Sequence, residues 1–413
     1  MASNTDLVQS IKNHAVKFDT YDDLDAIVEA AANKQYVMLG EASHGTSEFY
    51  TIRAEISKRL IAEHGFSFIA VEGDWPSCFT VNQYIKGFRD RDAQTALKDF
   101  DRWPSWMWAN EEILDLVEWM KKHNESADKH VGFYGLDVYS LWESMEEIIK
   151  QLERISPGDV ESAKQAFSCF EPFERRGENY AISSAYYGED CTEEVIKVLI
   201  DLQKKRKNYP KEQEGDLNLK VNSLVMLDAE RYYRAMAKGG AEDWNIRDTH
   251  MVSALEKVVH AHGEGAKAII WEHNTHIGDA RATDMAEEGM INVGQILREK
   301  YGQQVYAVGF GTHHGTVIAS DQWGGAVEVK EVPDAQAGSW EEALHQAGAF
   351  DKYILFHKEN EREFECVLGH RAIGVVYDPE LEHLGNYVPS FVARRYDSFI
   401  FINETTALSP IFK

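Results

Sequence analysis

Cysteine is scarce in this chain: four residues, Cys78, Cys169, Cys191 and Cys366, are scattered through 413, and no two form a C-x-x-C pair. That spacing offers neither a zinc ribbon nor a disulfide framework, so free thiols are the default expectation. Basic residues are outnumbered, 43 against 69 acids, for a formal charge of −26. Such a balance repels phosphate backbones; it argues against nucleic acid and is compatible with a neutral or cationic small-molecule substrate. No run approaches the roughly 18 apolar residues of a membrane span, and residues 1–12 lack the apolar stretch of a signal peptide. A soluble, cytoplasmic protein without a membrane partner is therefore expected. Two catalytic signatures are missing as well, the G-x-S-x-G nucleophile elbow and the H-E-x-x-H zinc helix.

What is present is a repeated pattern of short apolar runs that end in polar residues. Tyr36 to Leu39 closes on Gly40 and delivers Glu41, Ser43 and His44 before Gly45. An amphipathic helix follows over 48–64, with Arg53 in its first turns, and Phe66 to Val71 is a second run ending in Glu72 and Asp74. Strand, helix and strand in so short a span make a βαβ unit, so the sheet is parallel there and both acidic turns fall on one edge. In such sheets ligands bind outside the strand carboxyl ends. Val131 to Leu136 is a third run, ending in Asp137, and Ala268 to Trp271 a fourth, ending in Glu272, His273 and His276. Val305 to Gly309 is expected to stop before Thr312, His313 and His314, with late strands over 353–356, 373–377 and 398–402. Over 75–108 the chain is unusually aromatic, and Trp103, Trp106 and Trp108 are the rings expected to wall a pocket.

From 141 to 262 the strand pattern gives way to helical stripes, with a charged stretch, 203–216, that reads as a solvated loop. The expected organisation is an α/β core from 1–140 and 263–413, built on a mostly parallel sheet flanked by helices, with 141–262 inserted as a helical lobe over the strand ends. Glu41, His44, Glu72, His273 and His276 should then share one cleft. Imidazole beside carboxylate suits activation of water for hydrolysis. A metal-dependent hydrolase, or a metal- or metallocofactor-binding protein, is the alternative on residue types, using His44, Glu72, His273 and His276, with His313 and His314 able to add to it or to cap the next helix.

Gly40-Glu41-Ala42-Ser43-His44-Gly45, with Arg53 and Glu72, resembles the erythromycin esterase family. Arg247-Asp248-x-x-Met251, Trp271-Glu272-His273-Asn274-Thr275-His276, Leu297-Arg298, Gly309-Phe310 and Arg371-x-x-Gly374 extend the resemblance over nearly the whole chain. It implies a two-lobed α/β fold with a deep cleft and, in the macrolide-resistance members, hydrolytic opening of a macrolactone ester; other relatives are labelled succinoglycan-biosynthesis-like. By matching position, His44 would be the general base, Glu41 and Glu72 would assist it, and Arg53, His273 and His276 would line the site and steady the oxyanion. Asp74, Trp103, Trp106, Trp108 and His314 are the expected substrate contacts. No cofactor and no required metal are implied. Glu272 stands where a small residue is expected, adding negative charge near the cleft.

Overall fold

The computed structural model describes residues 4–188, 190–205 and 212–412. Eleven strands are formed by them: β1 Val16–Lys17, β2 Tyr36–Leu39, β3 Phe68–Asp74, β4 Gly132–Asp137, β5 Ala268–Trp271, β6 Val305–Ser320, β7 Val327–Val332, β8 Lys352–Leu355, β9 Leu368–Arg371, β10 Tyr387–Ser390 and β11 Ser398–Thr405. The main sheet has nine strands in the order β1-β8-β11-β6-β2-β5-β3-β4, with β7 on β6. Its centre, β11-β6-β2-β5-β3-β4, is parallel throughout, while β1, β7 and β8 pair antiparallel. This is the expected mixed α/β architecture.

β2 and β5 are apolar at every position because both faces are covered. On one face Val37, Leu39, Ile69, Val71, Ile269 and Trp271 pack with the helices Ser47–His64 and Glu111–Asn124. On the other, Tyr36, Met38, Phe68, Ala70 and Ile270 meet the helices Leu141–Ile155, Gly215–Met236 and Glu242–His262. Gly65, in the left-handed region at φ 69°, ends the helix Ser47–His64.

Four expectations need correction. β6 does not stop at Gly309 but runs on to Ser320, so His313 and His314 lie within a strand and cap no helix. Residues 373–377 form only isolated bridges, Ile373 to Ser43 and Val376 to Ser320. Cys169 and Cys191 are joined in a disulfide, leaving Cys78 and Cys366 free. Of the charged stretch 203–216, residues 206–211 lie outside the described residues, and its remaining parts belong to helical segments that include Thr192–Lys205 and Gly215–Met236.

Among the described residues no helix is long and apolar enough to cross a membrane.

Candidate active site

β2, β3, β4 and β5 run side by side in one direction, so the residues at their carboxyl ends converge. The turn after β2 is tight at both glycines, though neither has a positive φ. A Cβ on Gly40 would collide with Asn274 Oδ1, and one on Gly45 with the Ile318 carbonyl oxygen, so both serve close approach of chain segments. Ser43 bonds to Thr46 Oγ1 rather than to His44, which leaves no serine–histidine pair in this turn.

His44 Nδ1 lies 2.8 Å from Glu41 Oε1. A carboxylate only accepts, so Nδ1 carries the proton and the Nε2 lone pair is left for the cavity that the ring lines. Burial pulls the imidazolium of His44 down, but Glu72 and the Glu41 hydrogen bond outweigh it, and its pKa stands above the ordinary value. Glu41 is fixed from behind by Arg53, whose Nη2 donates to Glu41 Oε2 at 2.6 Å. Arg53 is fully buried, with its guanidinium 4.4 Å from the Tyr50 ring centroid and 4.6 Å from that of Trp271. It is not part of the cavity lining, contrary to expectation; its Nη2 is committed to Glu41.

Glu72 is divided between two partners. Oε1 receives Arg247 Nη2 at 2.6 Å, and Oε2 receives the backbone amide of His273 at 2.8 Å. Burial opposes its ionisation, but His276, Arg247 and His44 win, and the carboxyl is held well below the usual carboxylate range. Arg247 also forks onto Asp137, with Nε and Nη2 at 2.9 and 2.7 Å. Its Nη1 donates to His276 Nε2 at 3.1 Å, while His276 Nδ1 faces both oxygens of Asp248 at 3.0 Å. Both nitrogens of His276 are therefore engaged, and its ring stacks on Trp244 at 4.5 Å between centroids. His276 is not part of the cavity lining.

His273 Nδ1 accepts from the Thr275 amide at 3.3 Å, which places the ring proton on Nε2 in the neutral form. Burial and the nearby His44 hold its pKa well below the ordinary value. Its ring lies 4.9 Å from that of His44, and the Ala42 backbone is beside it. Glu272 is fully buried with neither carboxyl oxygen hydrogen-bonded, and burial pushes its pKa well above the carboxylate range. Burial, with Glu72 and Asp248 nearby, thus works against the expected negative charge.

The cavity beside His44 has a volume of about 120 Å³, opens to solvent, and is lined by Glu72, Asp74, Arg102, Trp108, Asp137, Tyr139, Arg247 and Trp323, among others. Asp74 is gripped by Arg102 through Nε at 2.7 Å and Nη2. Of the expected rings only Trp108 is in the lining; its Nε1 donates to the Glu72 carbonyl oxygen at 3.1 Å. Trp106 is core, and Trp103 sits just outside, against Trp323. His314 lies near Asp334 and Glu404 and is not part of the lining. Four residues not picked out for the site complete it: Arg102, Asp137, Tyr139 and Trp323. Arg247 had only its place in a motif to recommend it.

A shared metal on His44, Glu72, His273 and His276 does not suit this arrangement, because Asp248 and Arg247 occupy both His276 nitrogens. Among the described residues the group whose ligand atoms approach one another closely is His313, His314 and Asp334, away from the cavity lining.

A profile of the erythromycin esterase family matches residues 61–405. The chain is 22% identical to the Bacillus subtilis protein YbfO, described as a hydrolase, over 96% of this chain and 90% of that one. It is 20% identical to erythromycin esterase type II of Escherichia coli, over 82% and 84% of the two chains. A crystal structure of a succinoglycan biosynthesis protein superposes with a TM-score of 0.80 at 19% identity, covering 99% of both chains. With the profile spanning most of its length, this chain belongs to the erythromycin esterase family, and so to hydrolases that act on esters of small molecules.

Proposed function

We propose that the chain hydrolyses a carboxylic ester with water as the nucleophile and His44 as general base. The observation that carries this reading is the His44–Glu41 hydrogen bond of 2.8 Å, made by a ring that lines the cavity. It fixes the tautomer whose Nε2 can take a proton from water. As the water oxygen bonds to the ester carbonyl carbon, the proton passes to Nε2 and negative charge moves to the carbonyl oxygen. Glu41 and Glu72 stabilise the resulting imidazolium. Arg247, permanently charged and part of the cavity lining, is the cation best situated to steady the oxyanion. When the carbon–oxygen bond to the leaving group breaks, His44 returns the proton to the departing alkoxide and is neutral again.

The remaining residues act through these. Arg53 holds Glu41, Asp248 holds His276 and His276 in turn accepts from Arg247, and neutral His273 packs against His44. Asp74, set by Arg102, and Trp108 would touch the substrate. The helices between 141 and 262 form the inserted lobe on a core of 1–140 and 263–413; the core supplies His44, Glu41 and Glu72, and the lobe supplies Arg247. The reaction as drawn uses no metal and no cofactor.

The test is hydrolysis of phenyl acetate by the wild type and by His44→Ala, each with and without a chelator. Turnover by the wild type alone, unchanged by chelator, supports the reading. Turnover that chelation abolishes and added metal restores assigns activation of water to a metal instead.

A further inference from the structure

Trp323 is 54% exposed, in the connection between β6 and β7, yet it is not a stray surface ring. Its indole meets Trp103 edge-on at 4.6 Å between centroids and lies 6.4 Å from Tyr139. Trp103 Nε1 in turn donates to the Gly325 carbonyl oxygen at 3.2 Å. Two segments more than two hundred residues apart in sequence are thereby joined beside the cavity that His44 lines, and Trp323 and Tyr139 both belong to its wall.

The cavity, which opens to solvent on one side, offers about 120 Å³. An apolar protein cavity of about 150 Å³ accepts one benzene molecule, whereas pockets for drug-sized ligands span roughly 300–1,000 Å³. A single ring or a short alkyl group is therefore the size of group that fits. Charge narrows the choice further. The lining carboxylates Glu72, Asp74 and Asp137 outnumber the lining cations Arg102 and Arg247, and the bidentate Arg102–Asp74 pair cancels within itself. An anionic group would meet net repulsion, while a neutral one packs on Trp108, Tyr139 and Trp323.

We infer that the Trp103–Trp323 contact sets the substrate class: this chain takes compact, neutral carboxylic esters, with no more than one ring entering the cavity, and excludes macrolactones. The inference rests on the hydrolytic reading above for its chemistry and on the Trp103–Trp323 contact and the cavity volume for its size limit. Trp323 is then a specificity-determining residue, because it closes the wall without touching the proton-transfer groups.

The experiment compares kcat/KM for phenyl acetate and for erythromycin in the wild type, Trp323→Ala and Trp103→Phe. The wild type should favour phenyl acetate by about 100-fold or more, and Trp323→Ala should shrink that ratio by about tenfold, mainly through a faster reaction of the macrolide. Trp103→Phe, which keeps a ring but loses the indole N–H, should shift the ratio in the same direction by less. A wild type that opens the macrolide within about tenfold of its rate on phenyl acetate overturns the inference, as does a ratio that neither variant moves. If the wild type turns over no ester at all, it is the hydrolytic reading that fails. Calorimetry on the same protein then decides the size limit: binding of phenyl acetate without binding of erythromycin upholds it, and the reverse order or equal binding refutes it.

Discussion

Arg247 Nη2 lies 2.6 Å from Glu72 Oε1 and 2.7 Å from Asp137 Oδ2, so one guanidinium from the helix Glu242–His262 ties together the ends of β3 and β4. The cation faces the cavity with its geometry fixed by two carboxylates and His276 before any substrate arrives. Such prior ordering is what makes an electrostatic catalyst effective, because nothing has to reorganise as charge develops.

Arg247→Lys keeps the charge and loses the fork. The account predicts a fall in kcat/KM for phenyl acetate of roughly 100- to 1,000-fold, carried mostly by kcat. Steady-state kinetics check it. A change confined to KM would mean that Arg247 only binds the ester.

The pH dependence follows from the His44–Glu41 bond. The base must be neutral to act, and its pKa is raised, so kcat/KM should fall as pH drops through a value above about 6.5. Glu72 stays ionised across that range and does not obscure the limb. Glu41→Gln removes a carboxylate that favours the imidazolium, so the limb should move to lower pH while the plateau also falls. A pH profile of the two proteins decides; an unmoved limb would mean that His44 is not the group being titrated.

Arg53 is a stability prediction as much as a catalytic one. Arg53→Met leaves Glu41 buried without its cation, which costs about 3–5 kcal/mol. Urea unfolding should show that loss. The double variant Arg53→Met with Glu41→Gln should recover part of it, because the orphaned charge is gone.

The Cys169–Cys191 bridge joins positions 22 apart in the helical segment. Alkylation of the unreduced, denatured protein should therefore label two thiols, those of Cys78 and Cys366. Four labelled thiols would contradict the bridge.

How much of this could be read from the residues differs by element. Tyr36–Leu39 and Ala268–Trp271 were legible because strands buried on both faces are short apolar runs, and the polar residues after them follow the chain to the sheet edge. β6 was not, since Thr312, His313 and His314 look like a loop until β11 pairs alongside them and β7 pairs with the residues from Gly315 onward. Arg53 looked like a cation for the cleft because position on a helix gives a direction and no depth; two aromatic rings and Glu41 decide where its charge rests. Trp323 carried no signal at all. Its importance comes from a contact with Trp103, 220 positions away in sequence, which no local pattern encodes. The disulfide failed for the same reason: two cysteines without a motif give no sign of pairing.

The central claim is that His44 takes the proton from water, and chemical rescue tests it most directly. His44→Ala removes the ring that touches the cavity and leaves the rest of the wall in place. The account predicts that kcat/KM for phenyl acetate falls by about 100- to 10,000-fold, and that added imidazole restores part of the lost rate in proportion to its neutral form. Full activity in His44→Ala would contradict it.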